Sequence, residues 1–226
     1  MKKIIDKQTM SDWLYNAVSS YQKADEDITD TGHLGNHLRD YFRIHGVNCE
    51  YDCGCSKGVI VFTSMPFVIK FDSWDENEGQ RGSECQREFD IYHEAVKRGL
   101  ECFFPKTEFL CYVSDVNFYL QQKIDCQDTK ILTWEYRKAI ININRTVSDK
   151  IVSKFQSYLE KEAPFYVRHI SERWISAVIS LYGKKKALEL EDFIIEMGIN
   201  DMHGNNVGWY KKKPVILDFS GYYRET

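Results

Sequence analysis

Asp201, Asn206 and Asp218 set carboxylate and carboxamide oxygens among glycines, in Gly198-Ile199-Asn200-Asp201-Met202-His203-Gly204-Asn205-Asn206-Val207-Gly208 and in Leu217-Asp218-Phe219-Ser220-Gly221. Oxygen donors of this kind suit a hard cation such as Mg2+, and a carboxylate can also take the proton of a hydroxyl. Asx residues beside glycine more often only make turns, so each alone says little. Upstream, Lys70 ends the apolar run Phe67-Val68-Ile69-Lys70, and Glu84 and Glu88 lie one helical turn apart in the segment that follows. Ahead of that run, Gly54-Cys55-Ser56-Lys57-Gly58 offers backbone that can approach an anion closely.

In this order the residues resemble the protein kinases and the aminoglycoside and choline-type phosphotransferases. Asp201 and Asn206 stand five positions apart, as do the catalytic-loop aspartate and asparagine of that family, and Asp218-Phe219-Ser220-Gly221 is similar to its Asp-Phe-Gly motif. The resemblance implies that Asp201 orients an acceptor hydroxyl and takes its proton, while Asn206 and Asp218 hold Mg2+ on ATP. Phe67-Val68-Ile69-Lys70 resembles the Val-Ala-Ile-Lys strand, which makes Lys70 the ligand of the α- and β-phosphates. Glu88, with Glu84 as the alternative one turn earlier, matches the glutamate that pairs with that lysine. Gly54, Ser56 and Gly58 occupy the place of the glycine-rich loop. Val68 matches the residue that roofs adenine, and the backbone from Gln122 to Ile124 falls where the hinge would bind it.

The sequence departs from that family in places. Ile199-Asn200 stands where regulated kinases carry His-Arg, so no phosphate-answering switch on an activation segment is expected. His203 replaces the lysine two positions after the catalytic aspartate, as in many small-molecule phosphotransferases. Eight residues follow Asp218, and the substrate-holding helices of an ordinary protein kinase are not among them. The resemblance therefore runs from about Cys49 to the terminus and covers the nucleotide-binding half of the function. It is similar in this to minimal kinase-like bacterial effectors and to small phage-encoded kinases.

These residues need elements to position them. Apolar spacing predicts a helix from about Thr9 to Tyr21 and another carrying Leu34, Leu38, Tyr41 and Phe42. Strands are predicted at Gly58–Thr63, Phe67–Phe71, Thr107–Val113 and Val116–Ile124, with Ser114-Asp115 as a turn, and a helix at Glu84–Arg98 stopped by Gly99. Later residues read as helical, around Ser171–Leu181 and Leu188–Met197, with further helix expected between Thr129 and Lys186. The expected fold class is α+β: a bilobal kinase-like arrangement with a helical extension (1–48), an antiparallel N-lobe with one helix (49–124) and a reduced helical C-lobe (125–226).

Composition narrows the remaining classes. The 226 residues are 43% hydrophobic and carry a net charge of −4, which suits a globular domain and gives no general pull toward nucleic acid or an acidic membrane. No stretch has the length of a membrane span or the pattern of a secretory signal, so a cytoplasmic protein is expected, with a host cell as another place of action. The seven cysteines lack a paired framework, which favours reduced thiols and makes the Asn144-Arg145-Thr146 sequon a chance match. His45, Cys49, Cys53 and Cys55 fall within eleven positions, but not in the spacing of a zinc finger or ribbon. The expected activity is ATP- and Mg2+-dependent phosphoryl transfer to Ser or Thr hydroxyls of a protein, alone or with an activating partner protein. A kinase-shaped binding module and a small-molecule kinase are the rivals.

Overall fold

A computed structural model describes residues 5–23, 31–53, 57–73, 83–124, 172–199 and 206–220. The chain is α+β. It divides into two compact units, the first formed by Met1–Asp90 with Lys106–Lys123 and the second by Ile91–Pro105 with Ile124–Thr226.

The first unit is built on a five-stranded antiparallel sheet. Its strands are β1 (Cys49–Cys53), β2 (Gly58–Phe62), β3 (Phe67–Ser73), β4 (Thr107–Val113) and β5 (Val116–Gln122), arranged β1-β2-β3-β5-β4. Alternation sorts their side chains onto two faces. Ile60, Phe62, Ile69, Phe71, Val116 and Phe118 turn to one face and are buried against α1 (Lys7–Lys23) and α2 (Thr31–Ile44), which contribute Leu14, Val18, Leu34, Leu38 and Phe42. The first two helices therefore share a core with the sheet. On the other face lie Val68, Lys70, Asp72, Tyr119 and Gln121, together with the first turns of α3 (Glu84–Lys97).

Sequence chemistry explains the junctions. In the β4–β5 hairpin, Val113 pairs with Val116, and Ser114 and Asp115 both take positive φ (47° and 67°). That two-residue loop matches the right-handed twist of its strands, and Asp tolerates the left-handed conformation. At the start of α3, Ser83 Oγ accepts the Gln86 N–H at 2.9 Å, the bond of a helix N-cap. At its end, Gly99 has φ 67° and donates to Val96 O, while Leu100 N–H reaches Ala95 O at 2.7 Å. This pair of bonds closes orphan carbonyls in the way a glycine in the left-handed region permits.

The second unit takes its core from Phe103 and Phe104, from α4 (Glu172–Glu196) and from the hairpin β6 (Val207–Tyr210) and β7 (Lys213–Ile216). Trp174, Leu190, Phe193, Ile194, Ile199, Ile216 and Phe219 are all buried there. Trp174 is fixed further by its indole N–H on Gly208 O at 3.3 Å. Helical geometry in α4 is broken at Gly183 (φ 83°, ψ 162°), so two helices meet where the sequence runs into Gly183-Lys184-Lys185-Lys186. Arg98 grips Glu196 with both terminal nitrogens, at 2.6 and 2.7 Å, and its guanidinium lies over the Phe193 ring. These two contacts tie the end of α3 to the end of α4 within the unit.

Candidate functional site

In the first unit the site centres on Glu88, whose side chain is fully buried. A buried carboxylate needs donors on both oxygens and compensation for its charge. Lys70 supplies both, donating to Oε1 at 3.0 Å and to Oε2 at 2.8 Å. Gln121 Nε2 donates to Oε2 at 2.8 Å and also reaches Thr107 Oγ1 at 3.2 Å. Lys57 Nζ donates to Oε1 at 2.8 Å. Three strands are thereby fastened to one helical residue: β3 through Lys70, β5 through Gln121, and the entry to β2 through Lys57.

Register puts these groups in reach of one another. Lys70 lies opposite Val59 in β2 and opposite Tyr119 in β5, and Val68 lies opposite Gln121. Two residues apart on one strand, Val68 and Lys70 share a face, so an apolar patch sits beside the ammonium group. Glu84, the alternative partner considered for Lys70, is instead 3.4 Å from Lys57.

Asp72, one pleat beyond Lys70, secures the start of α3. Its carboxylate accepts the Cys85 N–H at 2.9 Å and the Ser83 hydroxyl at 2.8 Å. Burial raises its pKa, and the bonds from Cys85 and Ser83 oppose that rise. Tyr119, whose hydroxyl donates to Gln86 Oε1, has its own acidity suppressed by burial. Cys85 is wholly enclosed and its thiol is pushed well above its ordinary pKa, which leaves it a packing group and not a nucleophile.

Gly58 carries a packing constraint of its own. A Cβ built there would fall 2.3 Å from Cζ of Phe71, so the Phe71 ring occupies the space a side chain would need. Gln122 and Lys123, at the end of β5, have their amide hydrogens engaged by Lys106 O at 2.8 Å and Pro66 O at 2.9 Å. Ile124 is the first residue past the unit boundary.

In the second unit, Asn206 and Asp218 flank the open end of the β6–β7 hairpin. Val207 pairs with Ile216, and Leu217 N–H donates to Asn206 O at 2.8 Å, which brings the backbone on either side together. The hairpin is closed at its other end by Lys211 and Lys212, both at positive φ (49° and 66°). Asn206 is buried, Asp218 is half-buried, and Ser220 Oγ donates to Asp218 Oδ1 at 3.3 Å. The hairpin thus brings the backbone of a carboxamide residue and of a carboxylate residue to one end, and side chains of these two types carry the oxygen donors that hard cations take. Among the described residues no group of three or more His, Cys, Asp and Glu side chains is disposed to hold a metal ion.

Asp201, Gly54 and Ser56 lie outside the described residues, as do His203 and the expected helix up to position 171. Of the cysteine-histidine group, Cys49 is buried with its thiol facing Arg39 O at 3.7 Å, and burial pushes it up to about 11. His45 instead bonds Tyr41 O through Nδ1 at 2.8 Å and stacks on the Tyr41 ring. Lys57 is the site residue that sequence reading passes over. The available signal was its position, immediately before a strand whose outward residues face the lysine of the next strand.

Among the described residues, no helix is long and apolar enough to cross a membrane. No family model matches the chain, and no curated protein matches it.

Proposed function

We propose that this chain is an ATP- and Mg2+-dependent phosphotransferase with a protein-kinase-like bilobal fold, acting on Ser or Thr hydroxyls of a protein. The observation that carries the reading is the buried Lys70–Glu88 ion pair at 2.8 Å, on a strand and a helix in the order the resemblance calls for. A second support is the placement of Asn206 and Asp218 at one end of one hairpin.

In this reading Glu88 holds the Lys70 ammonium in a fixed position, so that little ordering remains to be done when the α- and β-phosphates arrive. Val68 covers the adenine ring. The hinge would lie at Gln122–Ile124, where the amides of Gln122 and Lys123 already donate to Lys106 O and Pro66 O. Asn206 and Asp218 would hold Mg2+, which supplies neutralisation of phosphate charge when bound. Asp201 orients the acceptor hydroxyl and takes its proton. The sequence feature His203 favours a small-molecule acceptor as the second reading.

The test is transfer of label from γ-labelled ATP with Mg2+, to the chain itself, to generic protein acceptors and to small hydroxylated acceptors, for wild type and for Asp218→Ala. Label is expected on protein with the wild type and at background with the variant. Equal labelling by both would contradict the assignment of Asp218, and label only on small acceptors would select the second reading.

A further inference from the structure

Lys57 is 5% exposed, and its ammonium shares Glu88 Oε1 with that of Lys70, at 2.8 and 3.0 Å. Two ammonium groups on one oxygen stand within a few ångströms of each other. Such a pair costs mutual repulsion in addition to the desolvation of both lysines. Glu88 does not require the second cation, since Lys70 bonds both of its oxygens and Gln121 adds a neutral donor. Glu84, 3.4 Å away, and the buried carboxylate of Asp72 also face Lys57, so the two lysines sit among carboxylates with their ammonium groups side by side. An anion bridging the two ammonium groups would offset the repulsion, and a phosphate does this with several oxygens at once.

We propose that Lys57 is a second phosphate-binding residue, paired with Lys70 across Glu88, so that the polyphosphate of a nucleotide is held by two lysines. The inference rests on the nucleotide reading above and adds a ligand to it. Lys57 directly precedes Gly58 and β2, while Lys70 lies within β3, so the two ammonium groups reach the same phosphates from neighbouring strands. Glu88 then acts as a positioning residue for both.

The experiment uses the wild-type full chain and an acyl-phosphate derivative of ATP, which passes its acyl group to an amine lying against the phosphates and releases ATP. Peptide mass spectrometry is expected to find the acyl group on Lys57 as well as on Lys70, with both modifications prevented by excess ATP and Mg2+. Modification of Lys70 with Lys57 untouched would overturn the inference and leave the nucleotide reading standing. Modification of neither would remove the nucleotide reading itself. As a second measurement, Lys57→Met should weaken ATP binding about tenfold, with Lys57→Arg recovering part of the loss. A folded Lys57→Met chain with wild-type affinity would also overturn it.

Discussion

Glu88 is the residue on which the first unit's chemistry turns, because it satisfies two buried cations and a carboxamide at once. Removing it strands those cations without their common counter-charge, which is more costly than losing a hydrogen bond between neutral groups. Glu88→Ala should lower unfolding stability by about 3–5 kcal/mol, measured by urea denaturation. Glu88→Gln should lose less, since it keeps an oxygen acceptor and the shape of the side chain. Equal stability of Glu88→Ala and wild type would show that the buried network carries little energy. The sequence made Lys70 and Glu88 legible because an apolar strand ending in lysine and a helix bearing a glutamate occur in a recognisable order. Lys57 was not legible. A lysine between glycines beside a strand reads as a solvated loop residue, and only the register of β2 against β3 shows which way it turns.

Elements were legible in proportion to how strongly local chemistry dictated them. The β4–β5 hairpin and α3 follow from the Ser114-Asp115 turn and from the Gly99 stop, and both form where the pattern predicts. Strand β1 was not foreseen as a strand, because Cys49-Glu50-Tyr51-Asp52-Cys53 is short and mixed in character and owes its place to pairing with β2. Its Tyr51 ring fills the space beside Gly35 of α2, a tertiary fit invisible in either segment alone. Helical segments were expected around Ser171–Leu181 and Leu188–Met197, and the structure runs both into α4, with helical geometry broken at Gly183. Gly58 is ambiguous in the sequence, since a glycine proposed for phosphate approach also makes room for Phe71. Gly58→Ala should therefore destabilise the first unit by about 1–3 kcal/mol even without nucleotide. Phe71→Leu in the same chain should recover part of that loss, as read from thermal unfolding of the single and double variants. If Gly58→Ala is as stable as wild type, the ring does not limit that position.

At the scale of the whole molecule, the candidate groups divide between two compact units, Lys70 and Glu88 in the first and Asn206 and Asp218 in the second. Local strings alone suggested a helical extension (1–48), an N-lobe (49–124) and a C-lobe (125–226). Burial of Leu14, Val18, Leu34 and Phe42 with Ile60 and Phe71 joins those helices to the sheet. That outcome was hidden because amphipathic periodicity says a helix has a core-facing stripe and does not say which core it faces. The central proposal is that the chain binds ATP with Mg2+ and that Lys70 and Asp218 each contribute to that binding. Isothermal titration of the full chain with ATP, with and without Mg2+, tests it most directly, alongside Lys70→Met and Asp218→Ala. The account predicts a single ATP site per chain that binds more tightly with Mg2+. Lys70→Met should weaken it about tenfold in either condition, and Asp218→Ala should abolish the Mg2+-dependent gain. Absence of ATP binding by the wild type, or a Mg2+-dependent gain unchanged in Asp218→Ala, would contradict it.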